Sequence, residues 1–396
     1  MLPAAALILL TLACGDDSEP LSSSAPPPSG SEATLQATPE GVIPGRFIVT
    51  LRPYAGRPGT DAASVARAVA ATHGATPDFV YTHALHGFAG RLSEAARAGL
   101  LRDARVARVE PDGIARISTT QSGATWGLDR IDQRALPLSG SYTYAARGAG
   151  VTAYIIDTGI RLSHSEFGSR ATSGFDAVDG GSANDCNGHG THVAGTTGGA
   201  TYGVAKGVAL VAVRVLNCGG SGTWSGVIAG IDWVTGDHRP GESAVANMSL
   251  GGPTNSSVDE AVRRSIADGV SYAIAAGNDG QDACRFTPAR VAEAMTTGSS
   301  TRTDERSSFS NRGNCVDWFA PGSGITSAWN GNDNQTNTIS GTSMAAPHTA
   351  GVAALYLDDN PGASPSSVRA ALYGLTTKGI VKRARSANND LLFTSF

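Results

Sequence analysis

Charge is scarce in this chain of 396 residues. Asp, Glu, Lys and Arg make up 16% of it, and the formal net charge is −4. No basic block points to nucleic acid, and no acidic block marks a solvating tail. Long apolar runs are missing too. Nothing beyond the N-terminus stays apolar for the roughly 18–20 residues that a membrane helix needs. Cysteine is rare, with five in the whole sequence. Setting Cys14 aside, Cys186, Cys218, Cys284 and Cys315 remain. In an exported chain four cysteines suggest two bridges, and three pairings are open.

The N-terminus reads MLPAAALILLTLAC. Its apolar run, Ala4 to Leu12, is too short to span a bilayer and suits an export signal over residues 1–14. The cationic start of such a signal is missing, so either the signal is atypical or the natural start lies upstream. Cys14 after Leu12-Ala13 resembles a bacterial lipoprotein box, with Thr11 where Leu is usual. Two outcomes stay open: a lipid on Cys14 that anchors the protein at the cell envelope, or cleavage nearby and free secretion. Residues 15–41 are rich in Ser, Pro and Ala and almost lack large apolar groups, which predicts a linker.

Glycine, by contrast, is abundant at 50 residues, which implies many tight turns and close backbone approaches. From Val42 to Ser118 the pattern predicts β-α-β-β-α-β. The helices DAASVARAVAATHG and SEAARAGLLRDA have Asp61 and Ser93 as N-caps. That order is a ferredoxin-like split βαβ unit. From Thr119 onward, short apolar runs such as GVTAYIID, LVAVRVL, AVANMSL and VSYAIAAG alternate with helical stretches. Runs of this kind suit strands buried on both faces of a parallel sheet, in a doubly wound α/β domain over residues 119–396. Sites in such folds form beyond the carboxyl ends of the strands.

Asp157 ends the first of these strands. His189 and His192 sit in NGHGTHVAG, at a predicted helix start. Ser343 begins the helix GTSMAAPHTAGVAALYL, with Pro347 expected in its first turn. Taken singly, Asp157 reads as a turn residue and Ser343 as an N-cap. Together they offer a nucleophilic relay. A serine hydroxyl needs a neutral imidazole to take its proton, and the imidazole needs a carboxylate to fix its tautomer. Asn278, in AAGNDG just past another strand, offers an amide N–H to an oxyanion.

The strings YIIDTG, GHGTHVAGT, NMSLGG, AAGND and GTSMAAPH, in this order, resemble the signature blocks of the subtilisin-like serine proteases. The resemblance covers nearly all of residues 119–396. WGLDRIDQR and DCNGHGTHVAG are similar to the proteinase K branch, and within it to the aqualysin-like enzymes. It implies a self-processing serine endopeptidase acting on polypeptides, with Asp157, His189 and Ser343 as triad and Asn278 as oxyanion donor. His192, His164 and His348 are then structural. A zinc site on His189 and His192 lacks the HExxH glutamate. An esterase of the α/β-hydrolase type would carry G-x-S-x-G and the order Ser, Asp, His. An idle exported binding module is the remaining alternative, and the intact set argues against it.

The resemblance implies more. Gly220, Ser221 and Gly222, with Ser249, Leu250 and Gly251, would sandwich an extended peptide. Ala275, Ala276 and Gly277 would wall the first specificity pocket, and Trp224 a more distant apolar one. The bridges would be Cys186–Cys218 and Cys284–Cys315. Structural calcium is expected at Asp317 with the carbonyls of Ala292 and Ala294. A second calcium is expected at Asp129, Asp132, Gln133, Ser139 and Ser141, where some relatives place a carboxylate at the Ser139 position. Residues 42–118 would be an inhibitory pro-domain, released by cleavage between Ser118 and Thr119, with Ile117 and Ser118 lying in the cleft. The chain stops at Phe396, so the C-terminal pro-sequence of aqualysin-like enzymes is not expected. No nucleic-acid partner is expected, and the protein is expected to be a monomer.

Overall fold

The computed structural model describes residues 42–52, 61–113 and 118–396. The expected signal, Cys14, the linker to residue 41 and Ile117 lie outside the described residues.

The first body runs β1 (Val42–Leu51), α1 (Ala62–Thr72), β2 (Phe79–Tyr81), β3 (Gly87–Arg91), α2 (Glu94–Leu100) and β4 (Val106–Gly113). Its strands pair antiparallel in the order β2-β3-β1-β4, the predicted split βαβ arrangement. Asp61 caps α1 by accepting from Ser64 N–H, and Ser93 caps α2 by accepting from Ala96 N–H. Each side-chain oxygen thereby meets a donor that the helix start leaves unpaired. Val49, Val69, Phe88 and Leu100 pack between the helices and one sheet face.

The second body opens with β5 (Thr119–Ser122), α3 (Trp126–Ile131) and β6 (Ser141–Tyr144), where β5 pairs antiparallel with β6. Then come β7 (Val151–Asp157), β8 (Ala171–Asp176), α4 (His189–Gly198), β9 (Ala209–Arg214), α5 (Trp224–Asp237) and β10 (Ser243–Met248). They are followed by β11 (Gly252–Pro253), α6 (Ser256–Asp268), β12 (Ser271–Ala275), β13 (Phe286–Thr287), β14 (Met295–Ser300) and β15 (Trp318–Pro321). The body ends with β16 (Ile325–Ala328), β17 (Thr336–Ile339), α7 (Thr342–Asp359) and α8 (Pro365–Leu375).

Seven of these strands form one parallel sheet in the order β15-β14-β12-β10-β7-β9-β8. Its apolar runs are continuous because both faces are covered. Val151, Ala153 and Ile155 of β7 join a core with Val193 of α4 and Ala350 and Ala353 of α7. Tyr154 and Ile156, pointing the other way, join a core with Val227 and Ile231 of α5 and Val258 of α6. Full burial of a side chain such as Ile155 contributes about 1.5–3 kcal/mol. The chain leaves β7 toward β8 and β9 on one side and β10 on the other, so the strand order reverses at β7. A crevice at the carboxyl ends is the consequence. Among the described residues no helix is long and apolar enough to cross a membrane.

Candidate active site

Asp157 is the last residue of β7 and is fully buried. His189 Nδ1–H donates to its Oδ1 at 2.8 Å, and Thr158 N–H donates to the same oxygen at 2.7 Å. A carboxylate only accepts, so Nδ1 carries the proton and Nε2 of the neutral ring keeps its lone pair. Burial by itself presses the His189 imidazole down. The charge and hydrogen bond of Asp157 outweigh it, with help from the Asp185 charge, and the net shift is upward. The ring still leaves 26% of its side chain open to solvent, so a reactant reaches it.

His189 opens α4 behind Gly188, whose φ of 112° is left-handed. A Cβ there would also meet Trp329 at 2.4 Å, and one on Gly190 would meet the Gly159 carbonyl at 2.1 Å. Glycine is thus required on both sides of the histidine for the helix start to press against its neighbours.

Ser343 is not the cap of α7. The cap position is Gly341, with no side-chain cap bond. Ser343 Oγ instead donates to the Ser249 carbonyl at 3.2 Å. Pro347 was expected in the first turn but lies deeper, inside the helix. The reason is visible in the hydrogen bonds. Proline has no N–H to give the carbonyl four residues back, which is that of Ser343. Ser249 Oγ donates to that freed carbonyl at 2.8 Å and itself accepts from Asn247 Nδ2 at 2.8 Å. The Ser343 backbone is thereby tied to the residue that follows β10.

Asn278 stands past the end of β12. Its Oδ1 accepts from Thr342 N–H at 2.8 Å and from Thr342 Oγ1 at 2.9 Å. Those two bonds fix the amide plane and leave the N–H₂ without a protein acceptor among the described residues. Two hollows, of about 480 and 450 Å³, share the segment Ser249–Pro253. One is lined by His189, Gly220, Ser221, Gly222 and Trp224, the other by Ala275, Ala276, Gly277, Asn278 and Ser343. Leu250 and Gly251 line both. The Trp224 ring faces this cleft, and a Cβ on Gly252 would meet it at 3.0 Å.

Residues 148–389 match the model of the subtilase family. The chain belongs to the subtilase family. Residues 46–118 match the model of the peptidase inhibitor I9 family. An extracellular serine proteinase of Thermus sp. (strain Rt41A) is 51% identical over 98% of this chain and 97% of its own. Alkaline serine exoprotease A of Vibrio alginolyticus is 53% identical over 80% of this chain and 60% of its own. The crystal structure of a cold-adapted subtilisin-like serine proteinase is 55% identical, with a TM-score of 0.68 over 69% of this chain and all of that one. The chain is therefore a serine protease with the subtilisin-like fold and an N-terminal I9 domain.

In this subtilase His192, His348 and His164 each bond a backbone carbonyl. His192 Nε2–H donates to the Ile325 carbonyl at 3.0 Å, and burial pushes the ring down to about 4. His348 Nδ1 meets the Met344 carbonyl at 2.8 Å and is likewise pushed down to about 4 by burial. His164 Nε2 meets the Gln335 carbonyl at 2.9 Å. Cys186 is bonded to Cys218 and Cys284 to Cys315. The loops they close span 32 and 31 residues. Each constrains the unfolded chain by about 3–4 kcal/mol in the chain-entropy account.

The two expected calcium sites differ. At the first, Arg369 Nη2 donates to Asp317 Oδ1 and Arg369 Nε donates to the Ala294 carbonyl at 3.2 Å. Both oxygens thus already face a cation that the chain supplies, and Ala292 is exposed beside them. Arranged in this way, the group does not fit a calcium ion. At the second, Asp129 accepts from Ser139 N–H and Oγ and from Gly140 N–H. Gln133 Oε1 accepts from Ser139 N–H, and Ser139 Oγ lies 2.8 Å from Ser141 Oγ. Asp132 Oδ1 is buried with no partner. Burial pushes Asp132 up to about 6; Thr143 N–H pulls against this, and the Asp129 charge adds to it. An orphaned carboxylate oxygen beside a second carboxylate fits a hard cation held by oxygen. Among the described residues no cluster of three or more His, Cys, Asp or Glu gathers for a metal.

Three residues that the sequence did not single out help build the site: Thr158, Asp185 and Thr342. All three lie inside the quoted motifs YIIDTG, DCNGHGTHVAG and GTSMAAPH. Each reads as an ordinary cap or turn residue until its long-range partner is known.

Proposed function

We propose that this protein is a secreted serine endopeptidase, made as a self-cleaving zymogen. The observation that carries the reading is the 2.8 Å bond from His189 Nδ1 to buried Asp157, opposite a cleft that Ser343 and Asn278 also line. In the resting state Ser343 Oγ is held on the Ser249 carbonyl. With a peptide bound, Oγ turns to His189 Nε2, gives up its proton and attacks the scissile carbonyl carbon. The oxyanion forms against Asn278 Nδ2–H and the N–H groups at the start of α7, where the helix dipole is positive. The imidazolium keeps its Nδ1–H on Asp157. Its Nε2–H passes to the leaving amine, which departs with the C–N bond broken. Water then attacks the acyl-enzyme with His189 again as base, and the carboxylic acid leaves.

The peptide lies extended between Gly220–Gly222 and Ser249–Gly251, with main-chain bonds supplying most of the affinity. Alanine-walled and tryptophan-walled hollows favour apolar or aromatic side chains. Asp132 and Asp129 would hold a structural calcium, whose charge would offset these two neighbouring carboxylates. No catalytic step needs it.

Residues 42–118 act as the inhibitory pro-domain of residues 119–396, and the bond to be cut is Ser118–Thr119. Thr119 pairs with Tyr144 at the end of β6. Arg147, soon after it, donates to Asp358 at the C-terminal end of α7. Helix α7 has 18 residues, which is about 27 Å at 1.5 Å per residue, and Ser343 is at its other end. Cleavage within one molecule therefore requires β5 to leave β6. The test is to express the chain alongside a Ser343→Ala variant and sequence the N-terminus of each product. The parent is expected to yield a fragment starting near Thr119, at a rate independent of concentration, while the variant stays uncut. An uncut parent that also fails to react with a fluorophosphonate would sink the reading.

A further inference from the structure

One buried carboxylate behind the catalytic histidine has more work than a helix cap. Asp185 is 5% exposed. Its Oδ1 accepts from Thr158 Oγ1 at 2.9 Å, Asn187 N–H at 2.8 Å and Gly188 N–H at 2.9 Å. Its Oδ2 accepts from Thr191 N–H at 2.9 Å and Thr191 Oγ1 at 2.6 Å. A capping side chain serves one or two donors of the helix's first turn. Here a donor comes from a different element. Thr158 directly follows Asp157, gives its N–H to Asp157 Oδ1, and accepts Gly190 N–H on Oγ1 at 2.9 Å. The same two segments are stitched again by Asp185 N–H on the Ile160 carbonyl and by Arg161 N–H on Thr191 Oγ1.

The geometry has a direct consequence. Asp157 ends one strand and His189 begins a helix 32 residues later. Nothing local sets the distance between them. Asp185 bonds to the segment that carries each, and together with the Gly190–Thr158 and Arg161–Thr191 bonds holds that distance. The carboxylate also keeps its charge close to the ring. The groups acting on the imidazole are Asp157 from β7, Asp185 from the loop before α4, and His192 from α4 itself, which burial keeps neutral.

We infer that Asp185 is a positioning residue of the catalytic centre: its carboxylate holds the ends of β7 and α4 in the register that bonds His189 to Asp157, and it sets a second negative charge behind the imidazolium. The inference rests on the hydrolytic reading above.

The test compares the parent with Asp185→Asn and Thr158→Val. Competent sites are counted by fluorophosphonate titration of Ser343, and kcat, KM and the pH profile of kcat/KM are measured per titrated site. Asn keeps the shape, loses the charge and loses one acceptor. Asp185→Asn is expected to lower kcat about 10-fold or more, since displacement of a catalytic group by about 1 Å costs up to 100-fold. Its KM should stay near the parent's, and the acid limb should move to lower pH. Thr158→Val removes the link and keeps the charge, so kcat should fall while the acid limb stays in place. A merely structural role would change the number of titratable sites and leave both readouts unmoved in the sites that remain. Unchanged kcat and acid limb in Asp185→Asn would overturn the inference. If that variant gives no titratable sites, an unchanged kcat in Thr158→Val overturns it instead. A parent that does not react with the fluorophosphonate refutes the hydrolytic reading, whereas a reactive parent with an unaffected variant refutes only the role of Asp185.

Discussion

A hydrogen-bond donor that waits for an oxyanion is useful only if it is already aimed, because reorganisation at the moment of reaction costs rate. Asn278, the oxyanion donor proposed above, is held by Thr342, which donates twice to its Oδ1. Loss of one preorganised oxyanion donor costs about 100- to 1000-fold in kcat. Asn278→Ala is expected to fall in that range with KM little changed. Thr342→Val removes one of the two bonds that hold the amide and should cost less, with the same split between kcat and KM. Steady-state kinetics on a chromogenic peptide will decide. A Thr342→Val effect confined to KM would mean that the threonine shapes the pocket instead of aiming the amide.

At the scale of the element, α7 gives up helix stability close to Ser343, the nucleophile proposed above. Proline inside a helix is about 3 kcal/mol less favourable than alanine. Pro347 sits there and leaves the Ser343 carbonyl free for Ser249 Oγ. Pro347→Ala restores an N–H that shares this carbonyl. The expected outcome is a higher thermal midpoint and a lower kcat, read by calorimetry of the inhibited enzyme and by kinetics of the free one. A higher midpoint with full kcat would show that the Ser249 bond does not place the nucleophile. The helix start at His189 follows the same logic, since Gly188 and Gly190 favour close approach over intrinsic propensity.

For the whole molecule, Asp132 links stability to pH, and the calcium proposed beside it would link stability to that ion as well. The folded state holds a proton on Asp132 up to about pH 6. An unfolded Asp releases it near pH 3.9. Between these values the folded chain binds more protons, so stability falls as pH rises and stays lower above pH 6 unless a cation takes the proton's place. In a chelator, the thermal midpoint of the covalently inhibited mature enzyme should drop from pH 4 to pH 7 relative to Asp132→Asn. Added calcium should then raise the parent's midpoint and leave the variant's unchanged. Parallel midpoints under all four conditions would remove the cation from this site.

Much of this protein is determined within short stretches of chain. Continuous apolar runs fix buried parallel strands, Asp61 and Ser93 start helices by bonding three residues ahead, and the strings around Asp157, His189, Asn278 and Ser343 carry the family's chemistry in neighbouring residues. Composition limited the four cysteines to three pairings, and folding chose one of them by bringing Cys186 to Cys218 and Cys284 to Cys315. Other features were decided only in three dimensions. Arg369 reaches Asp317 across 52 residues, Ser249 reaches Ser343 across 94, and Asp185 meets Thr158 across 27. Pro347 looks like a first-turn residue until Ser249 is found on the carbonyl it releases. The physical reason is the same in each case: a backbone preference acts over a turn or two, whereas a hydrogen bond acts between whatever groups the packed sheet and helices bring within about 3 Å.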